Sequence, residues 1–275
     1  ANMAGQLKKH PIRLEKIEHG LTLFIIGLGY KVIIANHLAI LWRDIQGIGF
    51  ESISTPLAWM GAFGYSAQLF FDFQGYSLMA IGIGEMLGFD LPKNFDHPYR
   101  SRTVSEFYRR WHITLGRWFR DYLYIPLGGN RKGNAWTFFN LLIVWVVTGM
   151  WHGSTINFPL WGLILFVFIA LERFVIRNFL EKHGWLAHLY IWFVIPLTWV
   201  VFAITKLSDL KVYFARLFPF FGTGIAVNAG DYLKYGRTYG VFFLLAFVVS
   251  LPFMDKILKK CWKKWWMKAI LFVVL

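Results

Sequence analysis

Two of the eight histidines in this chain stand where an imidazole could do chemistry. His152 closes the run Gly149-Met150-Trp151-His152-Gly153, at the end of an apolar stretch barely long enough to cross a bilayer. An ionisable group at such a position is a functional hypothesis by default, because leaving it there is costly. The small residues on either side leave room for another group to approach. As a base it would take a proton from a hydroxyl; hydrogen-bonded between helices it would only stabilise a bundle, and both readings stand. His112, beside Trp111, has the same two readings, chemistry or a solvated interfacial ring. His37 reads as an interhelical hydrogen-bonder and His97, before Pro98, as a loop residue. His10, His19, His183 and His188 read as loop or span-end residues.

Other chemistries lack their residues. There is no HExxH or HxxxH spacing and no CxxC pair, so no metal site is expected, and the single Cys261 excludes an intramolecular disulfide. No GxSxG elbow occurs. Gly82-Ile83-Gly84 with Gly88 has neither the spacing nor the preceding strand of a nucleotide loop and reads as close helix packing. Pro126-Leu127-Gly128-Gly129-Asn130-Arg131 permits a tight turn. It places Asn130, Arg131 and Lys132 where they would touch a phosphate-bearing donor, and a plain basic turn explains it equally well. Asp72, Gln74 and Glu85 interrupt apolar sequence. The Asp72 and Glu85 carboxylates need partners, and arginines between residues 105 and 124 are candidates beside a purely architectural role.

The elements that must position these residues follow from composition. Of 275 residues, 57% are hydrophobic, 20% aromatic and 16% charged, which describes an integral membrane protein rather than a soluble domain. The excess of 29 Lys+Arg over 15 Asp+Glu suits cytoplasmic loops facing anionic lipid, and no nucleic-acid partner is expected. Apolar runs at Leu21–Trp42, Trp136–His152, Pro159–Arg177, Leu186–Lys206 and Tyr239–Met254 predict spans. Pro56–Phe89 predicts two helices broken near Gly75, and a further segment starts near Trp266. Ala1–Lys9 has no apolar core, and both ends of the chain read as cut.

Basic clusters at residues 93–132, at Arg173, Arg177 and Lys182, and from Lys256 to Lys268 share the cytoplasmic side if Pro56–Phe89 crosses an odd number of times. Residues 153–158 and 207–238 then lie outside. Within 93–132, Phe107, Trp111, Leu115, Trp118 and Tyr122 recur at helical spacing, flanked by Arg109, Arg110, Arg117 and Arg120. That pattern predicts one basic amphipathic helix over Ser105–Tyr124 at the membrane surface, where anchoring on anionic lipid is its plainest role. The expected fold is an all-α integral membrane bundle of many helices, one domain over residues 1–275.

Four motifs in order sharpen the functional reading. Phe71-Asp72-Phe73-Gln74-Gly75-Tyr76-Ser77 comes first, then Pro92-Lys93-Asn94-Phe95-Asp96-His97-Pro98-Tyr99. Phe107-Tyr108-Arg109-Arg110-Trp111-His112-Ile113-Thr114-Leu115 and the run from Trp118 to Arg131 complete the set, ahead of Gly149–Gly153. The series resembles the membrane-bound O-acyltransferase (MBOAT) family, in its bacterial alginate O-acetylation branch, strongly from Leu21 to Arg173. Leu78 after Tyr76-Ser77 looks instead like the teichoic-acid D-alanylation branch. Members of the family carry further helices at both ends.

The resemblance implies an O-acyltransferase with its site in a central tunnel, His152 as the catalytic histidine and His112 as the second. Trp151, Arg109, Arg120, Asn130 and Arg131 are expected to bind substrate. The implied donor is acetyl-CoA or another acyl thioester, with no bound cofactor. Implied partners are the lipid bilayer, a periplasmic or extracellular acetyl-relay protein, a polysaccharide acceptor and, in the D-alanylating alternative, an acyl-carrier protein. The implied location is the inner (cytoplasmic) membrane, multi-pass. The rival is a non-enzymatic scaffold or transporter whose histidines only hold helices together.

Overall fold

The computed structural model describes residues 5–7, 10–221, 228–254 and 257, mainly helical, with one isolated bridge between Phe95 and Trp111. Four of the helical stretches are long and apolar enough to cross a membrane: Leu14–Ile48, Asn134–His152, Asn157–Lys182 and Gly184–Ala203. The Lys256–Lys268 cluster and the segment from Trp266 lie outside the described residues. Two compact units form, one from Ala1–Asp44, Ala67–Asn94 and Leu233–Leu275, the other from Ile45–Ser66 and Phe95–Tyr232.

In the first unit, α1 (Leu14–Gly29) runs through a π-helical turn, Tyr30–Ala35, into α2 (Asn36–Ile48). It packs on the C-terminal part of α3 (Thr55–Met86), a single 32-residue helix. The break expected near Gly75 is therefore absent, and its glycines have another use. A Cβ on Gly75 would lie 2.6 Å from the Gly27 carbonyl oxygen, and one on Gly82 only 2.3 Å from that of Gly20. Glycines two turns apart on each helix thus let the backbones touch, the close packing by small residues that spans favour. Asp72 and Glu85 meet α1 and the π-turn rather than the arginines of 105–124: Lys31 donates to Asp72, and His19 Nδ1 lies 2.5 Å from Glu85. His37 stacks on Phe242 at 4.0 Å, and its buried Nδ1 finds no hydrogen-bond partner among the described residues.

In the second unit, α4 (Val104–Arg110) and α5 (Ile113–Phe119) replace the single helix expected over Ser105–Tyr124. Trp111 is extended and His112 left-handed, with φ 47°, so the chain turns a corner between them. The aromatic spacing hides the break, because Phe107 and Trp111 point into the core while Trp118 and Tyr122 are 52% and 66% exposed. The corner is stapled from outside, where Asp96 N–H donates to the Arg110 carbonyl at 3.0 Å and the Phe95 ring meets Trp111 edge-on.

Three spans follow. They are α6 (Asn134–His152), then α7 (Asn157–Leu171) continued by a π-helical turn and α8 (Arg177–Lys182), then α9 (Gly184–Ala203). α10 (Leu207–Leu217) and α11 (Asp231–Val249) occupy sequence where an external stretch and a span from Tyr239 were expected; α11 is not among the four candidate spans. Tyr213 on α10 donates to the Ala58 carbonyl at 2.7 Å, and Asp231 accepts from Ser54 N–H at 3.0 Å, capping α3.

Candidate active site

α6 and α7 form an antiparallel hairpin so close that neither tolerates a Cβ at its contact points. One on Gly149 would fall 2.3 Å from the Phe158 carbonyl oxygen, and one on Gly162 only 2.2 Å from that of Trp145. The Phe158 ring likewise fills the space a side chain at Gly153 would take. The small residues around His152 therefore admit the neighbouring helix, not a free approach for another group. That contact fixes His152 as the last residue of α6.

Aromatic rings wall the imidazole. Trp151, Trp161 and Phe202 stand edge-on to it, with centroids at 5.0, 5.2 and 5.3 Å. Asn157, fully buried, holds this wall in register: its Nδ2 donates to the carbonyls of Val201 and Phe202, tying the start of α7 to the end of α9. Trp161 stacks on Trp199 at 5.6 Å, and Trp199 meets Trp111 at 5.1 Å. Tyr108 closes the set against Trp145 at 4.8 Å and Trp161 at 6.1 Å. The wall therefore runs without a gap from His152 to the corner that carries His112.

Burial lowers the pKa of His112 below its ordinary value, which keeps the ring neutral at neutral pH. Its left-handed backbone, costly for a residue with a side chain, is the kind of strain that collects at functional sites. Burial also pushes the Tyr108 phenol well above its ordinary value, so it stays protonated. Trp161, 2% exposed, keeps an indole N–H without an acceptor among the described residues.

The other expected site residues stand on more open ground. Trp151 is exposed and also faces Phe119 at 6.4 Å. Arg109 and Arg120 are exposed, Arg120 in a 2.8 Å pair with its neighbour Asp121. Arg110, by contrast, is committed to Glu106 at 2.9 Å. Asn130 and Arg131 project from a turn in which Gly128 and Gly129 take φ 104° and 56°. Buried Asn140 holds that turn by donating to the carbonyls of Leu127 and Gly129, and Trp136 adds a 2.7 Å bond to Leu127. Among the described residues, no hydrogen bond or ion pair joins these four polar side chains to His152. Among the described residues, no group of three or more His, Cys, Asp or Glu is placed to hold a metal.

Trp161, Trp199, Phe202 and Asn157 escaped sequence reading because a Trp or Phe inside an apolar span looks the same whether it faces lipid or a neighbouring ring. Asn157 did carry a signal, as an amide opening an apolar run. An open apolar groove of about 660 Å3, with Phe63, Phe179, Leu189, Trp192 and Phe193 in its lining, contains neither histidine.

Residues 10–208 match the model of the membrane-bound O-acyltransferase family. The chain belongs to that family. Similar proteins include the probable alginate O-acetylase AlgI of Pseudomonas fluorescens, 38% identical over 80% of this chain and 44% of that protein. The peptidoglycan O-acetyltransferase of Helicobacter pylori is 40% identical over 73% of this chain and 39% of its own length. The teichoic acid D-alanyltransferase of Bacillus subtilis is 29% identical over 61% and 44%. The MBOAT chain described here thus spans less than half the length of these curated relatives.

Proposed function

We propose that the protein containing this chain is a membrane O-acetyltransferase that moves an acetyl group from a cytoplasmic thioester donor to a hydroxyl of an exported polysaccharide or of a relay partner. The observation that carries the reading is the placement of His152, at the end of a span, in an aromatic wall continuous with His112. A neutral imidazole there takes the proton of an incoming hydroxyl as the hydroxyl oxygen bonds to the thioester carbonyl carbon. The C–S bond then breaks, the thiolate leaves with that proton, and the acetyl ester remains on the acceptor. General-base help of this kind contributes about 10²–10⁴-fold in rate. His112 orients the donor carbonyl, Trp151 lines its path, and Arg109, Arg120, Asn130 and Arg131 face its phosphates.

The complete protein would enclose this site in a tunnel and sit in the inner membrane, multi-pass. The family membership and the alginate and peptidoglycan relatives support acetyl as the group transferred. A second reading, transfer of D-alanine from an acyl-carrier protein, is favoured by Leu78 and by the teichoic acid relative. Membranes carrying the full-length protein, supplied with labelled acetyl-CoA, separate the two. Label appearing as base-labile ester on envelope polymer supports acetyl transfer. Ester label that appears only when labelled D-alanine is supplied on a phosphopantetheine-bearing carrier protein supports the second.

A further inference from the structure

Glu172 sits where α7 passes into its π-helical turn, within the Asn157–Lys182 span and only 3% exposed. A carboxylate so placed must be matched by donors, because burying one without them costs several kcal/mol or forces it to take up a proton. The donors come from the start of α4. One oxygen accepts Val104 N–H at 2.5 Å; the other accepts Ser105 N–H at 3.2 Å and the Ser105 hydroxyl at 3.3 Å.

These are two of the four amides that any helix leaves without an internal partner. A third, Glu106 N–H, is satisfied locally by Thr103 Oγ1 at 3.0 Å, and Phe107 N–H makes the first intrahelical bond, to the Thr103 carbonyl at 2.9 Å. The Glu106 carboxylate reaches back to Arg102 N–H at 2.9 Å, a close variant of the capping box. Thr103 and Glu106 would serve as an ordinary cap for a surface helix. α4 has in addition a buried anion supplied by a membrane-length helix 68 residues away in sequence.

The consequence lies at the other end of α4. The helix has seven residues, about 10 Å of rise, too short to hold its own direction without tertiary contacts. Its far end is Trp111, whose N–H closes on the Phe107 carbonyl at 2.8 Å, and the next residue is the left-handed His112. Asp96 pins that end and Glu172 pins the start, so between them they set the axis of α4. We infer that Glu172 is a positioning residue: by holding the start of α4 to the α7 span, it fixes where the Trp111–His112 corner meets the aromatic wall of His152. Its effect on transfer rests on the proposed function; its hold on α4 does not.

Glutamine at 172 keeps one acceptor but turns an amide donor toward a backbone N–H, and aspartate falls one methylene short. The test uses the full-length protein in membranes, compared as wild type, Glu172→Gln, Glu172→Asp and Asp231→Asn. Asp231 is also a buried carboxylate that caps a helix, but that helix is α3. Hydrogen exchange over residues 104–112 should accelerate at least about tenfold in Glu172→Gln, with Glu172→Asp between it and wild type. Per folded molecule kcat should fall by up to about 100-fold, as a misplacement near 1 Å can produce, with the donor KM held within about twofold. Asp231→Asn should change neither quantity. Wild-type exchange over 104–112 in Glu172→Gln would overturn the inference, as would accelerated exchange with wild-type kcat. A wild type that transfers no acetyl sinks the proposed function before any substitution is compared, and the exchange data then still decide whether Glu172 holds α4.

Discussion

At the scale of single residues, His112 joins two properties that a structural side chain has little reason to combine. Its ring is half-buried and held neutral, and its backbone lies at φ 47°, a region that costs most side chains about 1–3 kcal/mol. Asn tolerates that region and β-branched residues do not. The thermal midpoint of His112→Asn should therefore stay near wild type while that of His112→Val falls. Both variants should lose transfer if the imidazole takes part; an Asn variant with full activity would leave His112 a turn-former only. Burial also gives the residue a pH signature. Between its lowered folded value and the ordinary value near 6.5, the unfolded chain binds a proton that the folded chain does not. Stability from this residue is full above pH 6.5 and declines as the pH drops through that window. The decline in thermal midpoint on acidification should be smaller in His112→Asn than in wild type. Little of this was legible beforehand: His112 was visible as a residue type in a basic motif, but its backbone angle depends on the Phe95–Asp96 segment that staples the corner.

At the scale of elements, the spans α6, α7 and α9 were legible because apolar length is a strong signal, and their ends fall within a few residues of the sequence boundaries. What misled was the meaning of glycine and of aromatic spacing. Gly75 reads as a breaker in isolation, yet it and Gly82 serve the contact with Gly27 and Gly20, which no local pattern reveals. Alanine at Gly82 must push apart two backbones, and should cost about 1–3 kcal/mol of stability. Alanine at Gly236, where a Cβ meets nothing within 4 Å, should be neutral or slightly stabilising. Melting of the two variants in detergent checks the contrast. The 126–131 turn gives a second test. Asn140→Ala strips the donor from the Leu127 and Gly129 carbonyls, at about 1–3 kcal/mol. It should raise the donor KM severalfold while kcat holds, if Asn130 and Arg131 face donor phosphates; an unchanged KM argues for a plain turn.

At the scale of the whole molecule, the motif order alone placed the chain in its family, and the family model matches residues 10–208. The five motifs sit on different elements, yet the second unit gathers the RRWH corner and the Gly149–Gly153 run around one aromatic wall. The first motif, with Asp72, lies in the other unit, where it pairs with Lys31. The central claim, that His152 is the base, can be tested at one position. The measurement is ester-linked acetate on envelope polymer in cells carrying the full-length gene, comparing wild type with His152→Gln at equal amounts of folded membrane protein. Glutamine keeps a hydrogen-bonding side chain of similar reach but no base. The account predicts loss of acetate by at least about 100-fold; acetate at the wild-type level would contradict it and leave His152 as a bracing residue of the α6–α7 hairpin.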